Sequence, residues 1–166
     1  MSFDTPATAA LWFLPFAAPI CVWVAWSDLR WMKILNKAVV ALVCVYLVVG
    51  IAVLPLPDYL WRLSHLAVLL LLGIGANAAG LMGAGDAKFI AAAAPFVALG
   101  DASAVMLILA GVLLAAFITH RLARMSPLRR LAPDWASWHS GRRFPMGLAL
   151  GPALVVYLAL AAIQGA

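Results

Sequence analysis

The sequence predicts an all-α polytopic membrane protein with about six transmembrane helices and both termini on the outer, periplasmic side. Of its 166 residues, 67% are hydrophobic and only 10% are charged, and the mean hydropathy is +1.08. A soluble domain carries about 25% charged residues. Lipid must therefore be the main solvent, and each spanning segment has to satisfy its own backbone hydrogen bonds as a helix. We expect one domain over residues 1–166, since the alternating pattern of a transmembrane barrel is absent.

Six apolar segments follow one another along the chain. They cover residues 9–26, 38–54, 60–82, 86–99, 102–119 and 145–163. At 1.5 Å per residue, most of them can cross an apolar core of about 30 Å. The fourth segment is short. Either its helix starts inside the membrane near Asp86, or the third and fourth segments form a re-entrant hairpin.

The basic residues predict the orientation. Every Lys and Arg except Arg62 falls on one side of this layout, and the positive-inside rule makes that side cytoplasmic. The net charge of +5 is therefore better explained by lipid than by nucleic acid, and no nucleic-acid partner is expected.

The only sizeable loop, residues 121–144, lies on this cytoplasmic side. It carries six arginines, Arg121, Arg124, Arg129, Arg130, Arg142 and Arg143. An amphipathic stretch anchored on anionic lipid is one interpretation of such a loop. A docking surface for a cytoplasmic segment of a substrate is the other.

Two carboxylates end up at the same membrane edge. Asp28 opens the polar stretch after the first apolar segment, and Asp86 stands at the start of the fourth. A charge at membrane depth costs about 3 kcal/mol, which makes each a functional candidate. Two close carboxylates share a proton, so that one can accept a proton from water while the other polarises a carbonyl. In the alternative, the two aspartates form no common site: Asp28 pairs with Arg30, and Asp86 is the N-cap of a helix.

The glycines beside Asp86 support a site that a substrate backbone approaches closely. Gly83 and Gly85 lack a Cβ and tolerate unusual dihedrals, and Lys88 is near enough to bias the local field. Cys21 and Cys44 are expected to be small buried apolar residues.

The three histidines are scattered over different segments without ligand spacing, so no metal site is expected. They are His65, His120 and His139.

Three motifs in this order resemble those of the type IV prepilin peptidases, which are GxGD-type intramembrane aspartyl proteases. Residues 28–36 read DLRWMKILN, residues 83–88 read GAGDAK, and residues 143–151 read RFPMGLALG. The resemblance implies that Asp28 and Asp86 are catalytic. It also implies supporting roles for the other motif residues, Gly83, Gly85, Lys88, Arg30 and Asn36.

The same resemblance implies the reaction and its place. The expected substrate is a type IV prepilin, whose short basic leader is cleaved after Gly at the cytoplasmic face of the bacterial inner membrane. The partners would be the leader, the first hydrophobic helix of the pilin and the lipid bilayer. The mature pilin would then enter a pilus or a related secretion apparatus.

The sequence departs from the family pattern in two ways. Leu35 replaces the usual Pro, and the long cytoplasmic insert with paired cysteines is missing. That insert accompanies N-methylation with S-adenosylmethionine in the bifunctional members. We therefore expect a minimal peptidase of the Flp (tight-adherence) kind, without methyltransferase activity and without a cofactor.

Two other function classes remain open at this point. Intramembrane aspartates also serve small proton-coupled transporters, although these place the carboxylate near the midplane and often show inverted repeats. The chain could also be a non-catalytic membrane subunit of pilus or secretion assembly. The sequence fixes neither the pilin nor the oligomeric state.

Overall fold

The computed structural model describes residues 2–141 and 143–165, and within them the chain is helical and forms no β-sheet. The helices are α1 (Ala7–Trp31), α2 (Asn36–Val53), α3 (Leu56–Ala78), α4 (Ala84–Ala93), α5 (Ala102–Met125), α6 (Ala136–His139) and α7 (Gly147–Gln164). Short 3₁₀ turns cover Ala94–Phe96, Leu99–Asp101 and Pro127–Leu131. The predicted all-α class is confirmed. Arg142, one of the loop arginines, lies outside the described residues.

Five of these helices are long and apolar enough to cross a membrane, namely α1, α2, α3, α5 with the turn before it, and α7. Their outward faces are apolar as well. Val48 on α2 and Leu71 on α3 are both 71% exposed, an arrangement that water disfavours and lipid accepts. The protein is therefore a multi-pass membrane protein.

The helices define two ends of the bundle. α1 ends and α2, α4 and α7 begin at what we call the motif end, because the sequence motifs meet there. The first and last described segments lie together at the opposite end, where Phe3 pairs with Gly165 in an isolated bridge. Which end faces the cytoplasm stays a prediction from the basic residues.

The fourth apolar segment crosses the bundle without forming a long helix. α4 has 10 residues, which at 1.5 Å each cover about half of the apolar core. Pro95, two residues after the end of α4, cannot continue the hydrogen-bond ladder, so the chain tightens into the 3₁₀ turn Ala94–Phe96. It then reaches the opposite end at Asp101, so the re-entrant hairpin is not formed.

Several helices extend beyond the apolar segments that predicted them. α1 continues through Asp28 and Arg30 to Trp31, so the polar stretch that Asp28 opens begins within the last turn of the helix. α5 likewise continues past His120 to Met125. Charged residues end an apolar pattern but not a helix, because their side chains leave the backbone ladder intact.

The closest helix packing joins α1 to α7. Ala10 and Ala17 on α1 and Ala161 on α7 are fully buried, and small side chains allow backbones to approach in lipid. At Gly151 on α7, an added Cβ would lie 2.6 Å from the carbonyl oxygen of Cys21. Gly151 is therefore required for this helix spacing, which also sets the distance between the motif ends of α1 and α7.

A polar network ties the opposite end together. The Asp101 carboxylate accepts hydrogen bonds from the backbone N–H groups of Asp4 (2.8 Å) and Thr5 (3.0 Å) and from the Tyr157 hydroxyl (2.7 Å). The Arg62 guanidinium donates to the Thr5 hydroxyl at 3.0 Å. Asp101 is 4% and Arg62 5% exposed, so the network buries both charges and compensates them with hydrogen bonds.

The expected burial of the cysteines is only half correct. Cys21 is buried between α1 and α7, whereas Cys44 is exposed on α2, and both are free thiols. Cys44 belongs to the outward face of an apolar helix, where burial inside the protein is not needed.

We expect Gly151→Ala to weaken the fold, because its new Cβ meets backbone rather than a mobile side chain. Overpacking of this kind typically costs about 1–3 kcal/mol. The matched control is Gly111→Ala on α5, where an added Cβ meets nothing within 4 Å and helix propensity favours Ala. Thermal unfolding of both variants in detergent tests this, and an equal Tm for the two would contradict the close α1–α7 contact.

Candidate active site

Asp28 is held by the first residue of α7. Its carboxylate Oδ2 accepts a hydrogen bond of 2.7 Å from the backbone N–H of Gly147, and the residue is only 5% exposed. The N-terminus of a helix carries unsatisfied N–H groups and a partial positive charge. Both features stabilise a carboxylate at this position.

Gly147 is the residue that makes this contact possible. A Cβ there would lie 2.9 Å from the Asp28 Cβ and 3.1 Å from Oδ2. Any larger residue would have to displace the carboxylate. The sequence motif at residues 143–151 indicated this segment, but a backbone N–H donor leaves no signature in sequence, and its partnership with Asp28 was not predicted.

The alternative in which Asp28 pairs with Arg30 is wrong. The Arg30 guanidinium lies over the rings of Trp26 and Trp31, 5.3 Å and 5.0 Å from their centroids. These are cation–π contacts on the exposed side of α1. Arg30, predicted to support the motif, is thus directed to its two tryptophans, away from the carboxylate.

Asp86 occupies the third position of α4, with Gly83 at the N-cap, so the expectation that Asp86 itself caps the helix is wrong. Its carboxylate folds back over Gly83, where an added Cβ would lie 2.8 Å from Oδ2. A larger residue at Gly83 would therefore make the end of the Asp86 side chain shift.

The pKa of Asp86 is raised to about 6. Burial is the main cause, the negative charge of Asp28 adds to it, and the backbone N–H of Gly83 acts in the opposite direction. Asp86 lies outside the five long apolar helices. A carboxyl group beside a negative charge is easier to protonate.

The two main motifs are also joined by their remaining residues. The Lys88 ammonium donates a hydrogen bond of 3.2 Å to the Asn36 side-chain carbonyl. Gly85 faces Ile34, whose Cβ would be 3.3 Å from a Cβ added at the glycine. Lys88 and Asn36 therefore fasten the start of α2 to α4, and Gly85 allows the close approach.

An apolar groove lies between α3 and α4 on the side of Asp86. It has a volume of about 160 Å³ and is lined by Leu69, Leu72, Gly73, Ala76, Met82, Ala87 and Ile90. Ala87 contributes to the lining, whereas Asp86 does not. Gly73 allows α3 and α4 to meet, since a Cβ there would be 2.9 Å from the Ala87 Cβ.

The chemistry available here is that of two carboxylates in different settings. Burial opposes the ionised form of both carboxylates. The Gly147 N–H favours the ionised form of Asp28, whereas the neighbouring charge adds to burial in favouring the protonated form of Asp86. In the described ranges 2–141 and 143–165, no three His, Cys, Asp or Glu side chains group closely enough to hold a metal ion.

The family model of the type IV leader peptidase family matches residues 16–120. The chain belongs to the type IV leader peptidase family. The protein is accordingly a protease of the leader peptidase kind, and its family implies prepilin substrates and a lipid bilayer environment. The match includes Asp28 and Asp86 but ends before Gly147. Comparisons with curated proteins and with solved structures give no match.

The raised pKa of Asp86 predicts a pH-dependent stability difference. The stabilising contribution of a group with a raised folded-state pKa is complete below its unfolded value of 3.8 and is lost as pH rises through about 6. We therefore expect the Tm of the wild type in detergent to fall relative to that of Asp86→Asn between pH 5 and pH 8.

The control for this titration is Asp58→Asn, which alters an exposed aspartate at the start of α3. It should leave the pH dependence of the wild type unchanged. A Tm difference between wild type and Asp86→Asn that stays constant with pH would mean that Asp86 does not titrate in this range.

Proposed function

We propose that the protein is an aspartic endopeptidase that cleaves the leader of type IV prepilins, with Asp28 and Asp86 as its catalytic residues. The observation that supports this most is the asymmetry of the pair. Asp28 is held by a backbone donor, and Asp86 has a pKa raised to about 6, partly by the charge of Asp28. Both residues fall within the segment that matches the family.

In the proposed mechanism the two aspartates divide acid and base roles. The ionised Asp28 takes a proton from a water molecule, whose oxygen attacks the carbonyl carbon of the scissile peptide bond. The protonated Asp86 gives its proton to the carbonyl oxygen as the tetrahedral intermediate forms. Asp28 then returns its proton to the leaving nitrogen while the C–N bond breaks, and Asp86 recovers a proton from the intermediate hydroxyl.

The remaining motif residues would support this pair. Gly83 and Gly85 keep the chain around Asp86 free of side chains, and the Lys88–Asn36 hydrogen bond keeps α4 against the start of α2. The apolar groove between α3 and α4 would accept apolar side chains from the first hydrophobic helix of the pilin, because its lining is almost wholly apolar.

The place of cleavage follows from the distribution of charge. The motif end carries the basic residues, so we assign it to the cytoplasmic face of the bacterial inner membrane and the opposite end, with both termini, to the periplasm. Cleavage would follow a Gly at the end of a short basic leader. With 166 residues and no methyltransferase insert, the chain would be a single peptidase domain of the Flp type.

We expect Asp28→Asn and Asp86→Asn each to lower the rate of leader removal by about 10²-fold to 10⁴-fold, which is the usual contribution of a general acid or base. The measurement is conversion of a prepilin from the same genome, first by co-expression and then with purified protein in detergent. Asp58→Asn is the matched control, because it removes an exposed carboxylate at the opposite end.

Unchanged processing by either site variant would contradict the two-carboxylate mechanism. In that case, a transporter or a non-catalytic assembly subunit would be the better interpretation of the buried aspartates. Membrane insertion of every variant is checked in parallel, so that loss of the protein is not mistaken for loss of activity.

A second prediction concerns the position of Asp28. Gly147→Ala introduces a Cβ within 2.9 Å of the Asp28 Cβ, and a displacement of about 1 Å can lower a catalytic rate by roughly 10²-fold. We expect kcat to fall with little change in KM, because the substrate groove lies on α3 and α4.

The matched control for this variant is Gly75→Ala on α3, where an added Cβ meets nothing within 4 Å. It should process prepilin at the wild-type rate. A folded Gly147→Ala protein with wild-type kcat would show that the carboxylate tolerates displacement from the α7 N-terminus.

A further inference from the structure

The C-terminal end of α5 and the 3₁₀ turn Pro127–Leu131 enclose a cleft that the proposed peptidase mechanism does not use. Its volume is about 590 Å³. The described residues that line it include four arginines and no carboxylate: Arg121, Arg124, Arg129 and Arg130. Four guanidinium groups around one cleft repel one another, so an anion is the ligand that this arrangement favours.

Two of the arginines are held in place by the protein. Arg124 donates a hydrogen bond of 3.1 Å to the carbonyl oxygen of Gly141, and the Arg121 guanidinium lies 5.3 Å from the centroid of the Phe117 ring. Arg129 and Arg130, on the 3₁₀ turn, are exposed. The cleft therefore combines two fixed guanidinium groups with two that can adjust to a ligand.

Exposed apolar side chains alternate with these arginines. Leu122 is 63%, Met125 85%, Leu128 60% and Leu131 83% exposed. In a helical membrane protein such a segment lies in the interface, with its apolar side chains among acyl chains and its arginines at the level of the lipid phosphates. A soluble anion would gain nothing from four exposed apolar side chains. This placement therefore favours a lipid over a soluble anion as the ligand.

We propose that this cleft binds the headgroup of an anionic phospholipid. Guanidinium groups bind phosphate oxygens in pairs with good geometry, and the neighbouring leucines and methionine contact the acyl chains of the same lipid. A basic peptide segment does not suit the cleft, because the arginines repel it. On this proposal, residues 121–131 bind lipid, which corresponds to the first of the two interpretations of the arginine-rich stretch.

The test counts lipids retained by the purified full-length protein in native mass spectrometry. The probes are phosphatidylglycerol, diphosphatidylglycerol and, as a zwitterionic reference, phosphatidylcholine. The cleft variant combines Arg129→Gln with Arg130→Gln. The matched control combines Lys37→Gln with Arg143→Gln, which removes the same charge from exposed positions that do not line the cleft.

We expect the wild type and the control to retain one anionic lipid more tightly than phosphatidylcholine. The cleft variant should lose that preference by roughly tenfold or more, as each juxtamembrane basic residue contributes about 1 kcal/mol to binding anionic lipid. Equal losses in the cleft and control variants would overturn the proposal, because net charge alone would then explain binding. Displacement of the lipid by soluble pyrophosphate at comparable concentration would also overturn it and indicate a site for free phosphate.

Discussion

The hydrogen bond from the Gly147 N–H to the Asp28 carboxylate is the constraint on which the rest of the site depends. A carboxylate that is 5% exposed must be compensated by a donor or lose its charge. The donor is available because α1 and α7 pack closely along their small residues, down to the contact of Gly151 with the Cys21 carbonyl. Helix packing at mid-bundle therefore determines whether Asp28 can act at the motif end.

The position of Asp86 depends on the opposite end of the bundle. Asp101 binds the backbone of Asp4 and Thr5, which fixes where α5 begins. Since Pro95 ends α4 after 10 residues, the chain between Asp86 and Asp101 crosses the bundle as a short helix and two tight turns. A regular helix would need about 20 residues to span the apolar core.

The fold class could be predicted from sequence because the apolar composition requires helices in lipid. Asp28 and Asp86 stand out as candidates because a charge in lipid is expensive. The helix ends could not be predicted, since Asp28 and His120 interrupt an apolar pattern without interrupting a helix. The role of Gly147 is a property of its backbone and leaves no residue-type signal. Asp101 and Arg62 are charges near apolar runs, but their partners are a backbone N–H, a Thr and a Tyr far apart in the sequence, which no local pattern indicates.

The two aspartates are chemically identical, so any difference in role has to come from the fold. Asp28 faces the N-terminus of an 18-residue helix, whose N–H groups favour negative charge. Asp86 sits in the first turn of a shorter helix, where burial and the charge of Asp28 outweigh the Gly83 N–H and raise its pKa to about 6. On the proposed mechanism this asymmetry makes Asp28 the base and Asp86 the acid. Exchanging the roles would require moving the α7 N-terminus from one carboxylate to the other, which the α1–α7 packing prevents.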